Sequence, residues 1–136
     1  MLDFNSKKPE IEKLAEKRKL SLAVLYGSYA KNLARKDSDI DIAVYRKDKP
    51  ISFDELVDLN NEFADVFKST EVDVKSLHNT NPLFRYQVMR DGILLYGNRR
   101  DFISFKAYAF RDYCDSRDLL RLKETIVKKR LKLLTK

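Results

Sequence analysis

The chain has 136 residues, of which 43% are hydrophobic and 36% are charged, with 3 Gly, 3 Pro and 1 Cys. A chain of this length can bury a core without disulfide staples, so we expect one folded domain. The composition excludes disulfide scaffolds, collagen-like repeats and disordered tails. The single Cys114 cannot form an internal bridge, and no apolar run has the length of a signal peptide core or a bilayer span. We therefore expect a cytoplasmic protein with no membrane partner.

The net charge of +7 is concentrated at one end of the chain. Residues 1–98 carry 16 basic and 16 acidic side chains, whereas residues 99–136 carry 12 basic and 5 acidic ones. A positive field attracts RNA, an acidic protein surface or polyphosphate, and a merely solvated helix face is the alternative. The sequence shows no separate RNA-binding module, so direct binding of nucleic acid is not the favoured interpretation.

Three elements are predicted in the first part of the chain. Residues 9–19 begin with Pro and carry apolar side chains at helical spacing, which predicts a short opening helix. Residues 20–28 form an apolar stretch closed by Gly27-Ser28, which predicts a buried strand ending in a tight turn. Residues 29–35 are then expected to form a short helix that starts at this turn.

The middle of the chain predicts a strand, a helix and a second strand. Residues 38–45 alternate cleanly, with Ile40, Ile42 and Val44 facing the core. A capping box of Ser52 and Glu55 then opens an amphipathic helix. Residues 71–77 alternate again, with apolar Val72 and Val74 facing inward and Asp73 and Lys75 on the polar face.

The last part of the chain predicts a helix, a short strand and a long helical segment. Residues 83–91 are helical in pattern and residues 93–97 form a short apolar strand. The pattern is helical from Asp101 almost to the end, with a break expected near Asp115-Ser116. The whole order predicts a small α/β domain, with a mixed β-sheet flanked by helices. We expect residues 1–98 to form its core and residues 99–136 a basic C-terminal helical segment of the same domain.

Gly27-Ser28 has the character of a phosphate-binding turn. Where a strand ends and a helix opens, free backbone N–H groups and the positive end of the helix dipole face outward. Gly27 lets the backbone approach a phosphate closely, and Ser28 adds a hydroxyl group. Lys31 follows one turn later as a candidate phosphate contact, with Arg35 and Lys36 as weaker candidates.

Three aspartates are predicted to lie near this turn. Asp39 and Asp41 are two residues apart on one strand, so they point the same way. Asp73 joins them if its strand pairs beside theirs. Three adjacent carboxylates repel one another unless divalent cations lie among them, and hard oxygen ligands suit Mg²⁺ or Mn²⁺. A metal site beside a phosphate cradle indicates two-metal phosphoryl or nucleotidyl transfer.

The chain carries Gly27-Ser28, then ten intervening residues, then Asp39-Ile40-Asp41, and later Asp73 between apolar neighbours. This pattern resembles the signature of the DNA polymerase beta type nucleotidyltransferase superfamily. The short length, the stretches DSDIDIAV and NPLFRYQVMRDGILLYG, and the basic C-terminal helix resemble the minimal nucleotidyltransferases within it. These are the antitoxin partners of HEPN-domain ribonuclease toxins. The resemblance covers nearly the whole chain.

The resemblance implies an antitoxin that uses ATP and two Mg²⁺ ions to transfer AMP to a tyrosine hydroxyl of a cognate HEPN toxin, in a hetero-oligomer. It implies that Asp39, Asp41 and Asp73 are the catalytic residues. Asp39 and Asp41 would bind both metal ions, and Asp73 would bind the ion that activates the acceptor and also receive the acceptor's proton. Gly27 and Ser28 would hold the β- and γ-phosphates. The family often carries Arg directly after Gly-Ser and Gly a few residues later, where this chain has Tyr29 and Asn32, so Lys31 is the candidate replacement.

Other functions share the same motif. A non-catalytic antitoxin would neutralise its toxin by binding alone. A small-molecule nucleotidyltransferase normally needs an added helical domain for its acceptor, for which this chain leaves little room. The basic C-terminal segment favours a third alternative, the addition of nucleotides to RNA. The intact aspartate triad favours the protein adenylyltransferase among these alternatives.

Overall fold

The computed structural model describes residues 3–34, 38–69, 71–78 and 80–134. Its helices are α1 (Lys8–Lys17), α2 (Phe53–Phe67), α3 (Pro82–Asp91) and α4 (Arg99–Leu134). Its strands are β1 (Leu22–Tyr26), β2 (Ile40–Tyr45), β3 (Val72–Ser76) and β4 (Ile93–Gly97). Within the described ranges, no helix combines the length and the apolar character that crossing a membrane requires.

The four strands form one mixed sheet in the order β3-β2-β1-β4. β1 lies antiparallel to both β2 and β4, whereas β2 and β3 run parallel. The antiparallel pair β1 and β2 needs only a short connection, and the parallel pair uses α2 as its crossover. The predicted fold class, a small α/β domain with a mixed sheet flanked by helices, is confirmed.

Both faces of the sheet are covered. The face predicted from the alternation of β2 packs under α1 and α2, where Ile40, Ile42 and Val44 are buried. The opposite face holds a second cluster, in which Ala43 packs with residues of α3 and of the first half of α4. The end of this second face that carries Asp41 is polar, and it becomes the candidate site.

The predicted capping box opens α2. The Ser52 hydroxyl accepts a hydrogen bond from the Glu55 backbone N–H at 3.2 Å, and the Glu55 carboxylate reaches back to the Ser52 backbone N–H at 3.4 Å. The same carboxylate pairs with the guanidinium of Arg46, which is 8% exposed. One side chain therefore caps the helix and neutralises a buried charge next to it.

The predicted helix over residues 29–35 is wrong for the part that is described. Lys31 N–H donates to the Gly27 carbonyl, which forms a single helical turn, and Asn32 then adopts a left-handed backbone with φ of 59°. Asn32 N–H donates to the Tyr29 carbonyl and Leu33 N–H donates to the Ser28 carbonyl, the hydrogen-bond pattern of a Schellman motif. Asparagine tolerates this conformation, so the helix ends as soon as it has begun. Arg35 lies outside the described residues.

The predicted break in the last helix is also wrong. α4 is continuous through Asp115 and Ser116, and it begins at Arg99. The chain has no Gly or Pro after Gly97, and Asp and Ser lower helix propensity without breaking a helix that packs elsewhere. Phe105 and Ala109 of its first half are buried, whereas residues 117–134 are exposed throughout. The division of the chain into residues 1–98 and 99–136 stays a prediction.

Candidate active site

Two of the predicted aspartates lie side by side on the sheet. Asp41 of β2 is the register partner of Asp73 of β3 and also of Tyr26 of β1. Register partners on neighbouring strands project to the same face and are about 5 Å apart at their Cα atoms. The structure therefore places Tyr26, Asp41 and Asp73 in one row across three strands, and the predicted convergence of Asp41 and Asp73 is confirmed as geometry.

Asp39 lies two residues before Asp41, just ahead of β2, and its side chain is exposed. Burial raises the pKa of the Asp41 carboxyl group, and the negative charges of Asp73 and then Asp39 raise it further, against a smaller opposing effect of Lys75. Because both neighbours repel the charge of Asp41, the negative potentials of the three carboxylates overlap in one small region. The arrangement attracts cations.

Gly27 closes over Asp41. Its backbone has φ of 74°, in the left-handed region that glycine adopts without strain. A Cβ atom at this position would lie 2.3 Å from Asp41 Oδ2 and 3.2 Å from Asp41 Cγ. The sequence predicts that Gly27 lets the backbone approach a phosphate, and the structure adds a second reason for glycine, because the carboxylate of Asp41 occupies the space under the turn.

The turn after Gly27 offers unused backbone donors. The backbone N–H groups of Ser28, Tyr29 and Ala30 donate no hydrogen bond to any described residue. Successive free N–H groups in a turn form a concave anion-binding surface even without a helix dipole. These donors therefore belong to a turn, and the predicted helix N-terminus is absent from the described part of this segment.

Lys31, the candidate phosphate contact, is directed elsewhere in this structure. Its Nζ atom lies 3.8 Å from Asp91 Oδ2, at the end of α3. Asp91 also pairs with the adjacent Arg90. An exposed ion pair of this kind contributes little to stability, so Lys31 remains free to move toward a phosphate. Arg35 and Lys36, the other candidates on this segment, lie outside the described residues.

Tyr26 is a site residue that the sequence analysis missed. Its hydroxyl group is buried and has no hydrogen-bond partner among the described residues. Burial raises the pKa of this phenol, and the charges of Asp41 and Asp73 add to the effect. The ring packs edge-on against Phe84 of α3, with 5.6 Å between ring centroids. The alternation of side chains along β1 assigns Tyr26 to one face of its own strand, but only the pairing register places it beside Asp41.

Lys75 places a positive charge beside Asp73. Its Nζ atom lies 3.7 Å from Asp73 Oδ2 and 5.7 Å from the centre of the Phe84 ring. The lysine neutralises part of the charge of Asp73.

The residues present fit divalent cations. No three His, Cys, Asp or Glu side chains of the described ranges are already arranged around a metal position. Three other observations support the fit: the adjacent oxygen donors of Asp41 and Asp73, the raised pKa of Asp41, and the buried, unpartnered hydroxyl of Tyr26 beside them. Hard carboxylate oxygens suit Mg²⁺ or Mn²⁺, and either ion would relieve the repulsion.

Several other polar residues lie outside this site. Arg85 of α3 pairs with Asp112 of α4 at 2.8 Å, as a helix-to-helix ion pair. His78 stacks on Tyr45 at 4.7 Å and accepts a hydrogen bond from the Arg46 backbone N–H. They line or adjoin a cavity at the far end of the sheet from Asp41. None of them is brought near the three aspartates.

Comparison with known proteins identifies the kind of fold that carries this site. Residues 9–101 match the family model described as polymerase beta, nucleotidyltransferase. No curated protein matches the sequence. A solved toxin–antitoxin complex with AMP-PNP is similar at 26% identity and a TM-score of 0.72, over 91% of this chain and 98% of that chain.

Two further structures resemble this chain over nearly its full length. A toxin–antitoxin MntA–HpeT complex carrying two Asp-to-Glu substitutions is similar at 25% identity and a TM-score of 0.71, over 96% of this chain and 99% of that chain. A complex of tri-AMPylated Shewanella oneidensis HEPN toxin with MNT antitoxin is similar at 24% identity and a TM-score of 0.69, over 95% and 99%. The last likeness shows a shared fold.

Proposed function

This chain belongs to the polymerase beta nucleotidyltransferase family, and we propose that it is an antitoxin that transfers AMP from ATP to a tyrosine hydroxyl of a cognate HEPN toxin. One observation carries the proposal: Asp41 and Asp73 lie side by side beneath a turn in which the backbone N–H groups of Ser28, Tyr29 and Ala30 donate to no described residue. The similar toxin–antitoxin complex that contains AMP-PNP supports the choice of nucleotide and partner.

The proposed reaction is an in-line displacement at the α-phosphorus of ATP. The phenolic oxygen of the toxin tyrosine forms a bond to the α-phosphorus, the bond from this phosphorus to the oxygen bridging to the β-phosphorus breaks, and diphosphate leaves. Two bound Mg²⁺ ions supply charge stabilisation for the attacking and leaving oxygens. The proton of the acceptor hydroxyl passes to the carboxylate of Asp73, which lies beside Asp41.

Each predicted site residue has a proposed role in this reaction. Asp39 and Asp41 would hold both cations, and Asp73 would hold the cation that activates the acceptor. Gly27 and Ser28 bind the β- and γ-phosphates through the free backbone N–H groups of the turn and the serine hydroxyl. Lys31 reaches the phosphates after leaving its exposed pair with Asp91.

The test is intact-mass spectrometry of the cognate HEPN toxin after incubation with this protein, ATP and Mg²⁺. We expect the toxin to gain the mass of one or more AMP units, on tyrosine. The Asp39→Asn, Asp41→Asn double variant should lower the rate at least about 1,000-fold, because each change removes a carboxylate that would hold the cations, which stabilise the charge of the transition state. It should still bind the toxin.

The matched control is the Asp48→Asn, Asp65→Asn double variant. Both residues are exposed and lie outside the row of Tyr26, Asp41 and Asp73, and the change in net charge is the same. We expect this variant to transfer AMP at the rate of the unmodified protein. Full neutralisation of the toxin by the Asp39 and Asp41 variant would instead establish an antitoxin that acts by binding alone. AMP transfer to RNA or a small molecule, and not to the toxin, would overturn the proposed acceptor.

A further inference from the structure

Every residue in the second half of α4, up to the last described residue, is exposed. We define residues 117–134 as the tail. All of its side chains are exposed, and eight of them are large and apolar, with exposed fractions between 45% and 80%: Leu119, Leu120, Leu122, Ile126, Val127, Leu131, Leu133 and Leu134. The tail extends about 27 Å at the helical rise per residue.

A solitary helix of this kind is not expected to stand alone in water. Isolated helices of this length are marginally stable, and most helical stability in proteins comes from packing of an apolar face. Contiguous apolar surface of this extent marks an interaction site. The tail therefore needs a covering surface from another molecule, and its charges identify the kind of surface.

Two basic residues lie in the middle of the apolar face. Lys123 and Arg130 are seven residues apart, so they share one side of the helix. On a helix the neighbours of a residue are those three and four positions away. For Lys123 and Arg130 every such neighbour is apolar: Leu119, Leu120, Ile126, Val127, Leu133 and Leu134.

Arg121 and Lys128 form a pair of the same spacing on the other side of the helix. All four neighbours of Arg121 at these positions are polar or charged: Arg117, Asp118, Glu124 and Thr125. Three of the four neighbours of Lys128 are polar or charged as well: Glu124, Thr125 and Lys132. Any molecule that covers the apolar face therefore buries Lys123 and Arg130, while Arg121 and Lys128 stay in water.

This pattern disfavours three other occupants of the face. The tail has seven basic and two acidic residues, so a second copy would bring two positive surfaces together without compensation. A membrane-surface helix keeps its basic residues on the polar face, whereas here two of them would enter the lipid. Single-stranded nucleic acid stacks on aromatic side chains, and the last aromatic residue of the chain is Tyr113.

We propose that the tail docks in an apolar groove of the toxin, and that acidic side chains of the groove pair with Lys123 and Arg130. The inference rests on the proposed function for the identity of the partner. A buried cation requires an opposite charge, which makes acidic groups in the groove a condition of docking. At least part of the tail has a counterpart in the similar toxin–antitoxin MntA–HpeT complex, since that match omits fewer residues than the tail contains.

The test compares two charge reversals of equal size. The Lys123→Glu, Arg130→Glu variant and the Arg121→Glu, Lys128→Glu variant are each titrated, as full-length protein, into the cognate HEPN toxin by isothermal calorimetry. We expect the first variant to weaken binding at least about 100-fold, because it places like charges in the buried centre of the interface. The second variant changes only charges at the rim and should weaken binding less than about 5-fold.

The outcomes separate this inference from the proposed function. Equal losses in the two variants, or no loss in either, would overturn the docking of this face even if AMP transfer occurs. Selective loss in the first variant with no AMP transfer by the unmodified protein would keep the docking and overturn the enzymatic function. Three further assays test other occupants of the face: sedimentation for dimerisation through the tail, binding of fluorescent single-stranded RNA, and binding to anionic vesicles. An interaction that the first variant weakens and the second does not would replace the toxin groove with that occupant.

Discussion

At the scale of single residues, the candidate site depends on groups whose burial costs free energy unless a ligand interacts with them. The pKa of Asp41 is raised by burial and by its acidic neighbours, and Gly27 leaves room for its carboxylate. The Tyr26 hydroxyl is buried beside it without a partner among the described residues. Such unsatisfied groups cluster at functional sites, where the bound ligand completes their interactions.

The Tyr26→Phe variant separates stability from ligand binding. Removing an unsatisfied buried hydroxyl should raise the free energy of unfolding of the metal-free protein by about 1–3 kcal/mol. The same change should weaken Mn²⁺ binding about 10-fold, since outer groups that orient metal ligands typically contribute that much. Urea denaturation and calorimetric titration with Mn²⁺ measure the two effects.

Tyr45→Phe provides the control, because Tyr45 lies on the same sheet face at the opposite end of β2. It should leave the Mn²⁺ affinity unchanged. A Tyr26→Phe variant with unchanged Mn²⁺ affinity would show that the hydroxyl plays no part in the site.

At the scale of elements, the start of α2 combines a cap and an ion pair. Glu55 accepts from the Ser52 backbone and from the Arg46 guanidinium, whose other donors bond to the carbonyls of Arg18, Lys49 and Pro50. The hydrogen bond from Arg46 is the main cause that lowers the pKa of Glu55 to about 2. This junction ties the loop after β2 to the helix that covers the sheet.

Glu55 should therefore make stability depend on pH in acid. Its pKa is lower in the folded state than the ordinary value of 4.5, so its contribution is fully present above that value and is lost as the pH falls toward about 2. The Glu55→Gln variant should lower the free energy of unfolding by about 1–3 kcal/mol at neutral pH, and the loss should shrink in acid. Denaturation at a series of pH values measures this, with Glu10→Gln as the control. A loss that stays constant down to about pH 2 would contradict the ion pair as its source.

At the scale of the whole molecule, the tail differs from the described residues before it, which we call the body, because the body packs on itself and the tail does not. The first half of α4 contributes Phe105 and Ala109 to the core, and α3 packs along it. No residue of the tail is buried. The body is therefore a self-sufficient unit, and the tail is an extension available for assembly.

A chain that ends at Ser116 should fold as well as the full chain. We expect its melting temperature to lie within about 2 °C of the full-length value, because every described residue that is removed is exposed in the free protein. Nucleotide binding should persist, while binding to the toxin should be lost. The control is Phe105→Ala in the full chain, which should cost about 3–5 kcal/mol by opening a core cavity. A large fall in the melting temperature of the shortened chain would show that the tail stabilises the body.

Local patterns determined most of the elements of this protein and the identity of the candidate residues. The period of two predicted β2 and β3 and the faces of Asp41 and Asp73, and the capping box predicted the start of α2. These features depend on side chains a few residues apart, which the sequence displays directly. The resemblance to a family, carried by the spacing of Gly27-Ser28 and the aspartates, predicted the fold that the comparisons confirm.

Tertiary structure alone decided which faces meet. An alternating strand has a polar face whatever its neighbours, so only the parallel pairing of β2 with β3 and the antiparallel pairing of β2 with β1 bring Asp73 and Tyr26 to Asp41. The turn at Asn32 and the unbroken course of α4 were likewise missed, because propensity is weak where capping and packing decide. The pairing of distant strands is determined by the burial of the whole sheet between its helices. The free energy of this burial comes from the assembled core, so no single segment of the sequence displays it.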